Sequence, residues 1–370
     1  MSAAKKRLLV YGANGYTGRL ILDAALKRGL AVTVAGRSRE AIEPLATERG
    51  LPFEVFALDE APRRLADRVS PFGAVLLAAG PFSRTSAPVL AACLRSRVAY
   101  LDITGEIGVF EAVFARHAEA VKAGVVLLPG VGFDVVPSDC LAASLAAALP
   151  GAVRLLLAFR GFGVSAGTAR TMLEGLPRGG AARVDGKLVP VPAGWKTRTI
   201  PFPDRPRFAV TIPWGDLSTA YRSTGIPNIE TYMAMAPSHV SALRWARPLL
   251  PMAAFGPFQS LLAAWVKRGI AGPTAEERAR ERSLLWGRVE DGEGRAVEGT
   301  LETLEGYSLT AETAVAAAER VLRGSVKAGA WTPSRAFGPL FVESVRDTKM
   351  TLPAPADGSG SPKKAGARKG

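Results

Sequence analysis

The stretch Lys6-Arg7-Leu8-Leu9-Val10-Tyr11-Gly12-Ala13-Asn14-Gly15-Tyr16-Thr17-Gly18 constrains the chain more than any other. Leu8 to Tyr11 is a short apolar run of the kind found in strands buried on both faces. From Arg19 to Arg28 the apolar residues recur at helical spacing. Glycines at 12, 15 and 18 lie between the two elements. Strand, glycine turn and helix in that order make the first half of a βαβ unit. Gly12 allows the sharp turn, Gly15 lets backbone N–H groups approach a pyrophosphate, and Gly18 lets helix and strand pack closely. The helix start then turns its partial positive charge toward the phosphates. Gly12, Asn14, Gly15, Tyr16, Thr17 and Gly18 are therefore expected to contact a dinucleotide.

The end of the second strand indicates which one. Ala31 to Ala35 is the next apolar run, followed by Gly36-Arg37-Ser38-Arg39. Preference for NAD usually shows as an acidic residue about 20 positions after the glycines, holding the ribose hydroxyls. Arg37 occupies that place, with Ser38 beside it. A guanidinium can pair with the 2′-phosphate of NADP and stack on adenine. The competing reading is a solvated basic turn. NADP is the expected cofactor.

With 370 residues, the chain has room for two domains. Two cysteines, Cys93 and Cys140, cannot build a disulfide framework, which points to a reducing compartment. The first strand begins too early for a cleavable leader, so a cytoplasmic location is expected. The formal charge is +14, of which residues 353–370 hold +3. Their Gly/Ser/Pro/Ala/Lys composition reads as a disordered basic tail. The basic body favours anionic ligands or surfaces without naming one.

Residues 1–150 alternate strand and helix. Further strands are expected at 53–57, 74–79, 98–102 and 125–128, with helices at 61–69, 86–95 and 106–123. Six strands with helical crossovers define an α/β fold, a doubly wound Rossmann-type parallel sheet. Such sheets bind ligands at the carboxyl ends of their strands. Besides the glycine turn and Gly36–Arg39, those loops are Gly80–Phe82, Asp102–Glu106 and Pro129–Asp139. Gly80 and Pro81 form a rigid turn on which a nicotinamide could lie, with Phe82 as a wall; an ordinary strand-ending turn is the alternative. In Pro129–Asp139, Ser138 or Asp139 could cap the next helix, whereas Asp134 has no evident capping role.

Together, Gly-Ala-Asn-Gly-Tyr-Thr-Gly, Ala-Gly-Arg, Ala-Gly-Pro-Phe and Gly-Phe-Asp-x-x-Pro-Ser-Asp resemble the saccharopine-dehydrogenase-like oxidoreductases, in the branch that includes trans-acting enoyl reductases. Ser165-Ala166-Gly167-Thr168 is similar to that family's Ser-Gly-Gly-Thr, and Gly329–Gly338 to its C-terminal signature. The resemblance runs from about residue 8 to 345. Val135 stands where this branch commonly has serine, and Ala166 where it has glycine. The lysine-pathway enzymes carry a different segment in place of Phe133–Asp139, which argues against saccharopine chemistry. The resemblance implies that 331–352 returns to the first domain.

Residues 151–330 read as a second α+β substrate domain. A strand at 153–160, a loop at 161–167 and a helix at 168–176, whose start could bind an anion, precede proline-rich strands. Residues 151–214 carry a net charge of +7. Either a solvated basic face or a surface for a phosphate-bearing or carrier-bound substrate explains it. Pro248 to Val266 has no charged residue and is flanked by Arg244, Arg247, Lys267 and Arg268. Its prolines disfavour one straight membrane span. It fits a lid over an acyl groove, a core element, or a segment in a membrane interface, giving weak peripheral contact with anionic lipid. A charged helix at 274–282, a strand or hairpin at 295–307, and a helix at 309–322 with Thr310 and Thr313 near its start complete the pattern.

His117 is expected at the surface and His239 lacks a catalytic setting. No Cys/His spacing suits a metal, so none is expected; nor is a nucleic-acid partner. Hydride transfer asks the protein mainly to orient a cofactor. Tyr100, Asp102 and Asp134 are the candidate proton donors. The expected function is an NADP-dependent oxidoreductase acting on a hydrophobic enoyl or carbonyl substrate, such as an acyl or isoprenoid chain. The alternatives are a non-catalytic nucleotide-binding, membrane-associated adaptor and a saccharopine-type amino-acid dehydrogenase.

Overall fold

The computed structural model describes residues 7–161, 175, 177, 179–248, 250 and 272–352. The first sheet is built from β1 (Leu8–Tyr11), β2 (Val32–Gly36), β3 (Phe53–Val55), β4 (Ala74–Leu77), β5 (Ala99–Asp102) and β6 (Val126–Leu128). Between them run α1 (Tyr16–Lys27), α2 (Arg39–Glu48), α3 (Pro62–Val69), α4 (Phe82–Ser96), α5 (Ile107–Ala115) and α6 (His117–Ala123). Its strand order is β3-β2-β1-β4-β5-β6, all parallel, so the order reverses between β1 and β4. That reversal opens the crevice in which doubly wound sheets take their ligands.

Alternation along β1 explains the two covered faces. Leu8 and Val10 pack with Ile21, Leu22 and Ala25 of α1, whereas Leu9 and Tyr11 join Val75, Leu77 and Phe72 in the other core. Leu8, Leu9 and Val10 are wholly buried. Each contributes on the order of 1.5–3 kcal/mol relative to an exposed position.

A seventh strand extends this sheet beyond the expected six. It is β15 (Gly329–Ala330), parallel to β6. The helix before it, α11 (Gly306–Leu322), packs on α1 and against β4 and β5. An ion pair of 2.7 Å between Arg28 and Glu312 joins the two helices at the surface. The stretch 151–330 therefore supplies a helix and a strand to the first sheet's layers. Only part of 331–352 stays there: α12 (Pro333–Phe337) packs on α7 (Val136–Ala148), while β16 (Lys349–Thr351) pairs with β14 (Ala296–Leu304) of the second sheet.

The second sheet is mixed. It contains β7 (Arg154–Arg160), β8 (Gly180–Val184), β9 (Lys187–Val191), β10 (Thr197–Pro201), β11 (Pro206–Thr211), β12 (Asn228–Ala234), β13 (Arg282–Glu290), β14 (Ala296–Leu304) and β16. Its main path is β10-β11-β12-β7-β13-β14-β16, with β8 and β9 branching from β12. Helices α8 (Asp216–Thr224), α9 (Pro237–Ala246) and α10 (Ala275–Arg280) belong to this half. Leu141 and Leu145 of α7 press onto Gly287 of β13, where a Cβ would stand 2.6 Å from Leu145. That close approach fixes α7 between the two sheets.

Several expected boundaries shift. The helix expected at 86–95 starts at Phe82, and that expected at 106–123 breaks at Arg116 into α5 and α6. Ser138 and Asp139 do not cap α7, because the helix already begins at Val136. Ser165–Thr168, the helix start at 168, the apolar stretch apart from Pro248 and Leu250, and the tail 353–370 lie outside the described residues. No helix among the described residues is long and apolar enough to cross a membrane.

Candidate active site

The glycine turn after β1 has the geometry its spacing predicts. Gly12 adopts φ +86, and a Cβ there would fall 2.7 Å from the Ala79 backbone nitrogen. A Cβ on Gly18 would stand 2.4 Å from the Gly12 carbonyl oxygen and 2.8 Å from Ala13 Cα. At Gly15 the nearest atom to a Cβ is the Gly12 oxygen, 3.3 Å away, and Asn14 and Gly15 are exposed. Gly15 is also the N-cap of α1, with no side-chain cap and no acidic residue in the first turn. Half-buried Thr17 lies in that turn. The N–H groups of α1 are thus left for a ligand of negative charge.

Arg37 projects into solvent after β2, and Ser38 is the N-cap of α2 without making a cap bond. Arg39 is engaged elsewhere, 3.3 Å from Glu43 and 5.5 Å from the Phe53 ring centroid. Arg37 remains as the guanidinium at this strand end, on the nucleotide side of the switch point.

Tyr16 has a different task from its neighbours. Its hydroxyl donates to the Pro273 carbonyl at 2.5 Å and accepts from Arg278 at 2.7 Å. Its ring meets Tyr307 edge-on at 5.0 Å. The side chain therefore fastens α1 to the segment leading into α10 rather than reaching outward.

The turn after β4 contains a cis Gly80–Pro81 bond, with Gly80 exposed. Phe82 is not a free wall: its ring is 8 % exposed and packs with Val89, Phe110 and Val135 in the core. The start of α4 is closed by Glu106, whose carboxylate accepts the Phe82 N–H at 2.7 Å and the Ser83 N–H at 2.9 Å.

The three expected proton donors separate clearly. Tyr100 donates to Asp102 Oδ2 at 2.6 Å, and Asp102 Oδ1 accepts from Thr104 at 3.0 Å and Gly130 at 2.8 Å. Both side chains are wholly buried. Burial pushes Asp102 up to about 6 even against those three hydrogen bonds. This pair ties the loops after β5 and β6 together and does not face the crevice. Asp134, in the loop after β6, is half-buried and makes no hydrogen bond among the described residues. Its Oδ2 lies 2.8 Å from where a Cβ on Gly105 would stand. Burial, reinforced by the charge of Glu106, pushes Asp134 up to about 7.

Residues from distant parts of the chain complete this corner. Thr310 Oγ1 accepts the Phe133 N–H at 2.9 Å, and Thr313 donates to the Val131 carbonyl at 2.8 Å, so α11 holds the loop carrying Asp134. Gly215 packs against Val135 and the Gly105 carbonyl, bringing the start of α8 to the same place. Asp216, which follows it, is 1 % exposed with an unpartnered Oδ1, and burial holds its carboxyl well above the ordinary range. Phe159 lies 4.5 Å from Trp214 and 6.2 Å from Phe133, forming an aromatic wall beside Asp134. The sequence reading missed Glu106 as a helix cap, Asp216, and the Phe133–Phe159–Trp214 wall. Only the position of Glu106 inside a crevice loop signalled any of them. No group of three or more His, Cys, Asp or Glu side chains suited to a metal occurs among the described residues.

A parallel sheet with order 3-2-1-4-5-6, an uncapped α1 and a glycine-lined switch point define a dinucleotide-binding protein. Residues 8–128, about a third of the chain, match the family model described as the saccharopine dehydrogenase NADP binding domain, which supports NADP as the cofactor. The chain is 30 % identical over 156 residues to a trans-acting enoyl reductase of Mycobacterium ulcerans, covering 38 % of this chain and 35 % of that one. It is 32 % identical over 139 residues to a trans-acting enoyl reductase of Mycobacterium leprae, covering 36 % and 33 %. The chain thus matches about a third of the length of these relatives. Saccharopine dehydrogenase (L-Glu forming) from Saccharomyces cerevisiae shares the fold, with a TM-score of 0.63 over 94 % of this chain and all of that one at 15 % identity.

Proposed function

We propose that the protein is an NADP-dependent oxidoreductase that reduces a polarised C=C or C=O in an apolar substrate. The observation that carries this reading is the uncapped α1 N-terminus at the switch point, in the same domain as Asp134, a half-buried carboxyl without a hydrogen bond among the described residues. The residues present fit the cofactor: Gly12, Asn14, Gly15, Thr17 and Gly18 leave room for a pyrophosphate, Arg37 suits a 2′-phosphate, and Gly80 with Pro81 offers backbone for a flat ring. Bound NADPH supplies the hydride. Asp134 holds at Oδ2 the proton that the reduced substrate takes up, on carbon for an enoyl group or on oxygen for a carbonyl. Half-buried Phe133 and Trp214, backed by the buried ring of Phe159, exclude water and accept an acyl or isoprenoid chain. The similarity to trans-acting enoyl reductases supports the enoyl form of the substrate.

Asp134→Asn tests the assignment. Loss of a general acid lowers turnover about 10²- to 10⁴-fold, while NADPH affinity measured by fluorescence stays unchanged. Because the acid form is required, turnover of the native protein should fall as pH rises through about 7. NADPH oxidation is followed with a panel of enones, acyl thioesters and aldehydes, and with lysine plus 2-oxoglutarate as the amino-acid arm. Binding without turnover on every substrate identifies a nucleotide-binding adaptor instead.

A further inference from the structure

The C-terminal signature residues surround a cavity that the redox site does not use. About 270 Å³ in volume, it is lined by Phe114, His117, Arg222, Ala330, Trp331, Thr332 and Arg335. It lies at the β15 edge of the first sheet, four strands from β1 in the sheet order. We propose that this cavity is a second binding site, for a small organic anion: a phosphate or carboxylate carried on a flat apolar group.

Its chemistry is one-sided, since Arg222, Arg335 and His117 line it and no carboxylate does. Arg335 donates to the Arg222 carbonyl at 3.1 Å and has no acidic partner among the described residues. Glu111 approaches Arg222 only to 4.0 Å, and also pairs with Arg183 at 3.2 Å and Ser218 at 2.5 Å. One carboxylate therefore serves two guanidinium groups, and positive charge remains at the mouth. Two planar guanidinium groups are the usual complement of a phosphate or carboxylate.

The walls supply the apolar half. The Arg222 guanidinium lies 5.4 Å from the Phe114 ring centroid and that of Arg335 5.6 Å from the Trp331 centroid, so each cation is already held over a ring. His117 meets Trp331 edge-on at 5.2 Å, and its Nδ1 is fixed by the Ala330 backbone. The floor is rigid. Thr332 is buried and sits 2.6 Å from Ser223, which donates to Asp139, while Asp139 also accepts the Ser334 N–H at 2.7 Å. The volume equals about nine water-sized groups, enough for a single ring and its anionic substituent. A small pocket with apolar walls and a few convergent charges is the usual form of a ligand site.

Calorimetric titration of the full chain, loaded with one equivalent of NADP⁺, provides the test. Phenyl phosphate should bind one per chain with Kd below about 1 mM, inorganic phosphate at least about tenfold more weakly, and benzyl alcohol without measurable heat. Arg222→Ala with Arg335→Ala should weaken phenyl phosphate at least about tenfold, with NADP⁺ affinity unchanged as the check on folding. Arg335→Gln alone, at an exposed side chain, should weaken it by at least about threefold. Trp331→Leu should remove the advantage of phenyl phosphate over phosphate. Equal binding by the arginine variants, equal affinity for benzyl alcohol, or no binding at about 10 mM overturns the proposal.

Discussion

The turns after β1 and β4 are made from the same parts. Each follows a fully buried parallel strand at the switch point, contains glycine, and leads within a few residues into a helix. At α1 the first-turn N–H groups have no side-chain cap and no acid beside them. At α4 the carboxylate of Glu106 already accepts two of them. An open helix N-terminus attracts phosphate, and one filled by a carboxylate repels it. The contrast favours α1 over α4 for the phosphates of the proposed cofactor. Availability of a helix start is thus decided by a residue 24 positions along the chain, not by the turn itself.

Closing the open end should produce the largest effect. Gly18→Ala places a Cβ against backbone on two sides, where nothing can rotate away. Overpacking of this kind costs about 1–3 kcal/mol, and the shift falls on the phosphate-facing N–H groups. Fluorescence titration should show NADPH affinity lower by about 100-fold. Affinity within threefold of native would mean that α1 does not carry the phosphates.

A smaller effect is expected at Arg37, since the side chain is exposed and water screens it. Arg37→Ala should weaken NADPH about tenfold and leave NADH unchanged. Equal loss for both cofactors would assign Arg37 a general rather than a 2′-phosphate role.

The part of this picture legible in the sequence is the part encoded locally. The glycine spacing and the apolar runs each state their structural role within a few residues, and the first sheet follows them. What the sequence could not show depends on partners far along the chain. Tyr16 sits inside the glycine motif, yet its hydroxyl bonds to Pro273, 257 residues later. Asp102 carries the residue type of a proton donor but is consumed by Tyr100, Thr104 and Gly130. Phe82 stands at a crevice turn, yet its ring completes the core. Thr310 and Thr313 look like ordinary residues of an amphipathic helix. Their hydroxyls instead hold the loop that presents Asp134, because α11 crosses onto the first sheet.

The smallest effect, and the one that joins both halves of the contrast, concerns Glu106. Glu106→Gln keeps the shape of the α4 cap but removes its charge. Losing a charged acceptor at a helix start costs about 1 kcal/mol, so the melting temperature should fall by a few degrees. Inorganic phosphate should then restore part of that loss, because the α4 N-terminus no longer repels it. The same substitution reaches Asp134, whose carboxyl is raised first by burial and second by the Glu106 charge. Removing the second cause lowers the Asp134 pKa while burial keeps it elevated. The pH at which turnover declines should therefore move below about 7, by less than about one unit. A melting shift without any movement of the pH profile would leave Glu106 as a helix cap alone and detach it from the chemistry at Asp134.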